Sequence, residues 1–387
     1  MHSKSRALPI AVAACGLALS APAHAQPGPA GKTAEQQFKN IQALQGTPAD
    51  QVFPAMQFIA ASLGVECDFC HVQGKFDSDD KPAKKAARKM IAMTLAINKD
   101  SFNARKEVTC YTCHRGSHDP VGTPPVLTSD AGPEHAESAP ATSSAEPAAD
   151  RLLDKYVAAI GGADALHKIS SRVSKGSIAV AGHETPIEVF AKAPDKRMSV
   201  THSPSGDSIT AFDGQDGWLG STGRPARDMS GPEAEAARLD ADFYFATHIK
   251  EIFSGFRVGH PDKIGDSPAY TLICMRQGQP PVRLYFDQSS GLLLRQVRYT
   301  DTPIGRNPTQ IDYADYREVD GVKVPFRWTL ARVNGRFTIQ IQEVRQNVPI
   351  DDAKFAKPAA PAGSDVLDRF WGKPLPDGRG SETVAAR

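Results

Sequence analysis

Several large functional classes are marked by features this sequence lacks. Neither sign of charge dominates: 45 Lys and Arg stand against 44 Asp and Glu, for a formal net charge of +1. No basic surplus points to nucleic acid. Beyond the first 25 residues no stretch reaches the roughly 18 apolar residues that a membrane-crossing helix needs. There is no Gly-rich phosphate loop and no Gly-x-Ser-x-Gly elbow. His202, His248 and His260 are scattered without metal-ligand spacing, and Asp312, Asp315 and Asp320 fall on a predicted strand and its turn. Solvated acids are ordinary there, so no constellation for an enzyme with its own substrate emerges. Cysteine is scarce too: six occur in 387 residues, and four of these sit in two short motifs.

Those motifs are Cys67-Asp68-Phe69-Cys70-His71 and Cys110-Tyr111-Thr112-Cys113-His114. Each reads Cys-x-x-Cys-His, the attachment pattern of a c-type haem. Two thiols one helical turn apart can form thioethers to the two vinyl groups of one porphyrin. The His that follows then lies under the iron and supplies an imidazole nitrogen. A Cys-x-x-Cys pair alone also suits half a zinc site, a redox dithiol or a disulfide. With 11 His in the chain, a His directly after both pairs arises by accident roughly one time in a thousand. The motifs therefore predict two covalently bound haem c groups.

The start of the chain agrees with that chemistry, because haem is attached to this motif outside the cytoplasm. Lys4 and Arg6 precede an apolar run from Ala7 to Ser20, and Ala23-His24-Ala25 forms a small-x-small cleavage site before Gln26. Residues 1–25 read as a secretory signal peptide, which places the mature protein in the periplasm. Val12-Ala13-Ala14-Cys15 also resembles a bacterial lipobox, which would anchor the chain by a lipid on Cys15.

Helical periodicity predicts segments over about Ala34–Leu44, Pro48–Leu63 and Lys81–Asn98, with Gly64 stopping the second. Val52, Met56, Ile59 and Leu63 recur at helical spacing, and Met90, Met93, Leu95 and Ile97 mark an apolar face on the third. The order helix, turn, haem motif thus occurs twice, each time with a Met on the helix. A thioether is a known sixth haem ligand, although a Met on an apolar face is more often core filler. Met90 and Met93 lie three apart, and spacing alone does not choose between them. His118 is a further candidate ligand, in a polar stretch.

Residues 119–149 are rich in Pro, Ala, Ser and acids, and read as a disordered linker. From 150 the pattern is α+β. Helical turns at Leu152–Ile160 and Ala163–Ile169 flank Gly161-Gly162, and strands follow from Val173. One helix is predicted over Pro232–Phe253. Strands resume at Ala269–Met275, Val282–Phe286, Leu292–Thr300, Gln310–Val319, Val322–Val333 and Arg336–Arg345. Cys274 reads as a small buried residue in a strand. The stretch from 357 to 387 reads as a disordered tail.

Residues 34–118 resemble one dihaem half of the cytochrome c subunit of photosynthetic reaction centres. The likeness runs from Met56-Gln57-Phe58 through Leu63-Gly64-Val65-Glu66 to the first motif. It resumes at Ala87-Arg88-Lys89-Met90-Ile91-Ala92-Met93 and at Val108-Thr109 with the second motif and Arg115-Gly116. The resemblance implies a helical module over 32–118, with Cys67, Cys70, Cys110 and Cys113 as thioethers. It also implies His71 with Met56 on the first iron, and His114 with Met90 on the second. That subunit holds four haems in two such halves, and lacks the β-rich part present here.

Residues 150–356 resemble the open half-barrels of periplasmic lipoprotein carriers. The likeness rests on the leading helix, the turn Asp287…Ser290-Gly291-Leu292, and Tyr313-Ala314-Asp315-Tyr316-Arg317-Glu318-Val319-Asp320-Gly321-Val322. It implies a curved, unclosed antiparallel sheet around a helix, with a lipid or acyl chain as ligand. Together the two resemblances imply an exported electron carrier serving redox partner proteins, among them a membrane-bound electron-transfer complex. Its C-terminal part docks or binds a hydrophobic ligand. The alternative they imply is a hydrophobic-ligand or lipoprotein carrier, or a redox sensor, with a haem module.

Overall fold

The computed structural model describes residues 31–122, 148–180 and 182–359. The predicted leader with Cys15, most of the predicted linker and nearly all of the predicted tail lie outside these residues.

The described chain begins with helices α1 (Ala34–Gln37), α2 (Val52–Leu63), α3 (Cys67–Cys70), α4 (Pro82–Phe102) and α5 (Cys110–His114). Next come α6 (Ala149–Ala159), α7 (Ala163–His167), β1 (Ser171–Val180), β2 (His183–Lys192), β3 (Lys196–Ser203), β4 (Gly206–Asp213), β5 (Gly217–Ser221) and β6 (Arg224–Asp228). Helices α8 (Gly231–Ala241) and α9 (Phe245–Ile252) interrupt the strands. These resume as β7 (Gly255–Val258), β8 (Asp262–Ile264), β9 (Ser267–Arg276), β10 (Gln279–Asp287), β11 (Leu293–Thr302), β12 (Gly305–Val319), β13 (Val322–Arg332) and β14 (Gly335–Gln346).

All fourteen strands join one antiparallel sheet in the order β6-β5-β4-β3-β2-β1-β14-β13-β12-β11-β10-β9-β7, with β8 paired to β9. The sheet does not close, because β6 and β7 remain its two ends. The chirality of the hairpins is written locally. Asp320 and Gly321 carry φ of 47° and 79°, the pair of positive values that a two-residue hairpin turn needs to match strand twist. At the β10–β11 turn the Asp287 carboxylate accepts from the backbone N–H groups of Ser289 and Ser290 at 3.1 and 2.6 Å, and Gly291 takes φ 78°.

One face of the sheet wraps α6 and α9. Leu153, Tyr156, Ile249 and Phe253 fill the cup against Leu272, Leu284 and Phe286, and all are buried. Burial of such side chains stabilises by about 1.5–3 kcal/mol each, so the sheet's curvature is held from inside. In β2, Ile187 and Val189 alternate with Glu188 and Phe190 and are buried on this face. Cys274 is fully buried there, and its thiol is pushed up to about 12 by burial.

Three sequence expectations are corrected. The helix foreseen over Ala34–Leu44 ends after Gln37. Phe38 is extended at φ −120° and Asn40 is left-handed at φ 59°. The Glu35 carboxylate instead accepts from the N–H of Gly46 at 2.9 Å. The helix foreseen over Pro232–Phe253 is two helices. Asp242 breaks it by accepting from Tyr244 N and His248 Nδ1, both at 3.0 Å, while Phe243 N–H donates to Pro194 O at 2.9 Å. The apolar face foreseen on α4 is buried only in part: Leu95 packs against the core cluster, but the two methionines do not. Ile91, Thr94, Asn98 and Lys84 face inward, whereas Met90 and Met93 are 42% and 45% exposed.

The helices before residue 122 also pack on the sheet. Ile304, in the β11–β12 hairpin, is 1% exposed and belongs to a cluster with Leu44, Ala55, Phe58, Ile59, Ile91 and Cys110. Asn307 Nδ2 donates to Pro54 O at 2.9 Å, and Ser230 Oγ to the Asp50 carboxylate at 3.2 Å.

Candidate functional site

Two short helices carry the Cys-x-x-Cys-His motifs, and two long helices support them. Helix α3 packs against α4, and α5 against α2. Each motif thus rests on the long helix of the other unit. The approach of α2 to the chain after α5 is closest at Gly64, the left-handed C-cap of α2 at φ 65°. A β-carbon on Gly64 would collide with the carbonyl of Gly116. Gly116 N–H in turn donates to Ser62 O at 2.8 Å. Before the second motif, the buried Asn98 clamps Val108 from both sides, donating to its carbonyl at 2.6 Å and accepting from its N–H at 2.9 Å.

Both motif histidines are held alike. His71 Nδ1 lies 3.0 Å from Phe76 O, and His114 Nδ1 lies 3.0 Å from Ser117 O. A carbonyl can only accept, so each Nδ1 carries the proton and each Nε2 keeps its lone pair. That is the tautomer a metal-binding imidazole needs, oriented by the bond its other nitrogen makes. The Phe76 carbonyl has a second donor, Lys84 Nζ at 2.9 Å, which also reaches Ser78 O at 2.8 Å and Asp79 at 3.3 Å. Asp79 further pairs with Arg88 at 2.9 Å and with Asn40 at 2.9 Å. The Arg88 guanidinium, with Lys84 and Asn40, holds the Asp79 carboxyl down to about 2. Lys81 Nζ reaches the Asp68 carbonyl inside the first motif.

None of the four motif cysteines is in a disulfide: Cys67 and Cys113 are exposed, Cys70 is partly covered and Cys110 is buried. Among the described residues no three His, Cys, Asp or Glu side chains converge as a metal site. The two Cys pairs therefore do not meet in a four-cysteine centre. Phe69 and Tyr111 within the motifs are 42% and 56% exposed, and Phe76, whose ring stands 5.4 Å from that of His71, is 60% exposed; Met90 and Met93 on α4 are exposed as well. Exposed side chains of this size, with paired cysteines and lone-pair imidazoles, fit a large flat apolar group bonded at both motifs. Met56 differs from Met90. It is partly buried and packs in the cluster that contains Cys110. His118 lies beside Phe69, with 5.9 Å between ring centroids, and pairs with Asp119 at 3.1 Å.

The other residues weighed in the sequence do not assemble. His202 pairs with Asp207 at 3.0 Å, His248 with Asp242, Asp312 with Arg295 and Asp315 with Arg317 at 2.7 Å. These are local hydrogen bonds and Arg–Asp ion pairs on separate parts of the sheet and helices. Sequence reading missed Lys84, Asn98 and the histidine-bonded carbonyls of Phe76 and Ser117. Backbone carbonyls leave no signal in residue identity, but a Lys and an Asn on the inner face of an amphipathic helix do.

Comparison with known proteins bears on these same segments. The family model described as "Photosynthetic reaction centre cytochrome C subunit" matches residues 12–152. The photosynthetic reaction center cytochrome c subunit of Thermochromatium tepidum is 31% identical over 109 residues, covering 27% of this chain and 26% of the relative. That of Roseobacter denitrificans is 39% identical over 95 residues, covering 21% and 25%. Cytochrome c-554 of Chloroflexus aurantiacus is 33% identical over 97 residues, covering 23% of each. The chain thus spans about a quarter of the length of the curated relatives it matches. Among solved structures, a DUF1329 family protein from Desulfovibrio piger aligns with TM-score 0.40 and 16% identity, over 54% of this chain and 96% of that one. A LolA superfamily protein from Nitrosomonas europaea aligns with TM-score 0.38 and 14% identity, over 54% and 97%. No helix among the described residues is long and apolar enough to cross a membrane.

Proposed function

We propose that the chain is an exported c-type cytochrome that carries two covalent haems and passes electrons between periplasmic or membrane redox partners. The carrying observation is the matched pair of histidines. Each follows two cysteines that are in no disulfide, and each has its Nδ1 tied to a carbonyl at 3.0 Å, which directs its Nε2 toward a metal-binding role. The likeness of residues 12–152 to the reaction centre cytochrome family supports the same reading. Bound haem would supply one-electron chemistry. The chain's own part is to hold it by Cys67, Cys70, Cys110 and Cys113 and to present His71, His114, Met56 and Met90 as axial ligands. The exposed Met90 has no core role to explain it, which favours a ligand role.

The division of the chain goes with this reading: signal peptide 1–25, dihaem part 32–118, linker 119–149, half-barrel 150–356 and tail 357–387. The half-barrel docks the haem part, through Ile304 and Asn307, and offers its remaining surface to partners. A second reading makes it a carrier for an amphiphile. Phe243, Tyr313 and Trp328, which line the core cluster of the cup and are only partly buried, favour it. Pyridine haemochrome analysis of the purified protein tests the main reading. Two haems per chain are expected, and fewer than two covalent haems would sink it.

A further inference from the structure

The concave face of the sheet carries two arginines that no carboxylate pairs directly. Arg172 on β1 and Arg197 on β3 flank Ala191 of β2 in register, so their side chains leave the sheet on the same side. That side is the inner one, because Val189, two positions from Ala191, lies in the buried cluster of the cup. Among the described residues neither guanidinium has a hydrogen bond or an ion pair. Arg172 only stacks over Phe243, 5.2 Å from the ring centroid. Arg298, from β11 on the far arm of the sheet, reaches the same interior and pairs with the Asp240 carboxylate, whose charge also acts on Arg197. Arg298 grips Asp240 of α8 with two bonds, at 2.8 and 3.1 Å. Tyr156 and Tyr313 line the space, but burial pushes both phenols upward, so they stay neutral.

Unsatisfied polar atoms concentrate at the same place. Of the eight buried side-chain polar atoms without a partner among the described residues, five belong to Arg172, Arg298, Gln296 and Gln346. Gln346 stands directly opposite Arg172 on β14. Gln296 lies two positions before Arg298, and its Oε1 accepts from the Tyr313 hydroxyl at 3.2 Å. Native interiors pair nearly all such groups, and buried unpaired charge is costlier still. Arg172 is crowded enough that burial and the nearby Arg197 hold its guanidinium down to about 10. Yet Arg172 and Arg197 both keep part of their surface open to solvent.

We propose that the inner face at Arg172 and Arg197 binds the anionic head of an amphiphile, a carboxylate or phosphate on an apolar chain, with these two arginines as the clamp. Guanidinium forks match such oxygens with paired hydrogen bonds. Gln346 and Gln296 supply neutral donors beside them, and the half-buried Phe243, Tyr313 and Trp328 offer apolar surface along the same face. The inference rests on the carrier reading of the half-barrel and does not depend on the haems.

The test uses the full-length purified protein and four probes: palmitate, 1-hexadecanol, acetate and inorganic phosphate, with binding followed by titration calorimetry. Palmitate is expected to bind about tenfold or more tighter than hexadecanol. Arg172→Gln or Arg197→Gln should remove that preference, palmitate affinity falling to the level of hexadecanol, with a thermal melt confirming that each variant folds. If a variant does not fold, the four probes on the unaltered protein still decide. Equal binding of palmitate and hexadecanol overturns the anionic clamp and leaves the carrier reading standing. Phosphate bound as tightly as palmitate supports the clamp and makes a free anion its ligand. No binding by any of the four overturns clamp and carrier together.

Discussion

The ring of Phe58 on α2 lies over Gly305 at the start of β12, so close that a β-carbon on residue 305 would collide with three of its carbons. Ile304 beside it is sealed into the same cluster as Cys110. The helices that carry both Cys-x-x-Cys-His motifs are therefore seated on the β11–β12 hairpin. A larger residue at 305 cannot be absorbed without moving α2. Gly305→Val should cost about 1–3 kcal/mol by overpacking, and Phe58→Ala about 3–5 kcal/mol by cavity formation. Both should expose the chain between them to limited proteolysis. Unchanged melting and unchanged cleavage in both variants would show that the two parts do not support each other.

The proposed axial ligands make a pairing that is open to measurement. Replacing Met56 or Met90 by Ala should lower the midpoint potential of one haem each, because a thioether ligand raises the potential. Met56→Ala should shift the haem that His71→Ala also alters, and Met90→Ala the haem that His114→Ala alters. The crossed packing of α2 on α5 and of α3 on α4 makes this assignment worth testing spectroscopically. A shift of the opposite haem would exchange the two methionines, and no shift in either variant would remove both from the iron.

Lys84 should separate the two haems in potential. Its ammonium competes with His71 for the Phe76 carbonyl, while among the described residues Ser117 O has only His114 as a side-chain donor. A weaker acceptor leaves the His71 ring less electron-rich and so raises the potential of its iron. Lys84→Met should lower one midpoint potential and leave the other in place. Two coincident potentials in the unaltered protein, both insensitive to the substitution, would count against it.

Acid should loosen the loop before α4. The Asp79 carboxyl is held down to about 2, mainly by the Arg88 hydrogen bond, from an ordinary value near 3.9. A depressed carboxyl contributes stability that is full above its unfolded value and is lost as pH falls through its folded one. The stabilisation is thus complete above about pH 4 and disappears toward pH 2. Thermal melts of the unaltered protein and of Asp79→Asn should differ at pH 6 and converge near pH 2. A constant difference across that range would place the effect elsewhere.

What the sequence made legible was local. The stop at Gly64, the Asp320-Gly321 turn and the inward Ile187 and Val189 all follow from residue type and period, and the unclosed antiparallel sheet follows from the resemblance. What stayed hidden was long-range. Asp242 breaks a helix partly because Phe243 N–H finds Pro194 O, 49 positions earlier. Met90 looks like core until Ile91 and Asn98 take the inward face. No pattern around Ile304 or Gly305 announces Phe58, and no spacing brings Arg197 of β3 and Arg298 of β11 into one interior. These relations come from how the sheet curves, which depends on the whole sheet at once.

Cysteine chemistry gives a last check on the motifs. Cys274 is fully buried with its thiol pushed up to about 12, so it forms almost no thiolate at neutral pH and should resist alkylation. The exposed Cys67 and Cys113 and the partly covered Cys70 have no such shelter. If they are thioethers to haem, they too are closed to iodoacetamide, but for a covalent reason that survives unfolding. The mature native protein should therefore gain no label, and the protein unfolded in guanidinium should gain one, at Cys274. Mass spectrometry of peptides reads this directly. Labelling at Cys67, Cys70, Cys110 or Cys113 in the unfolded sample would show thiols where the proposal requires carbon–sulfur bonds, and would retire it for that motif.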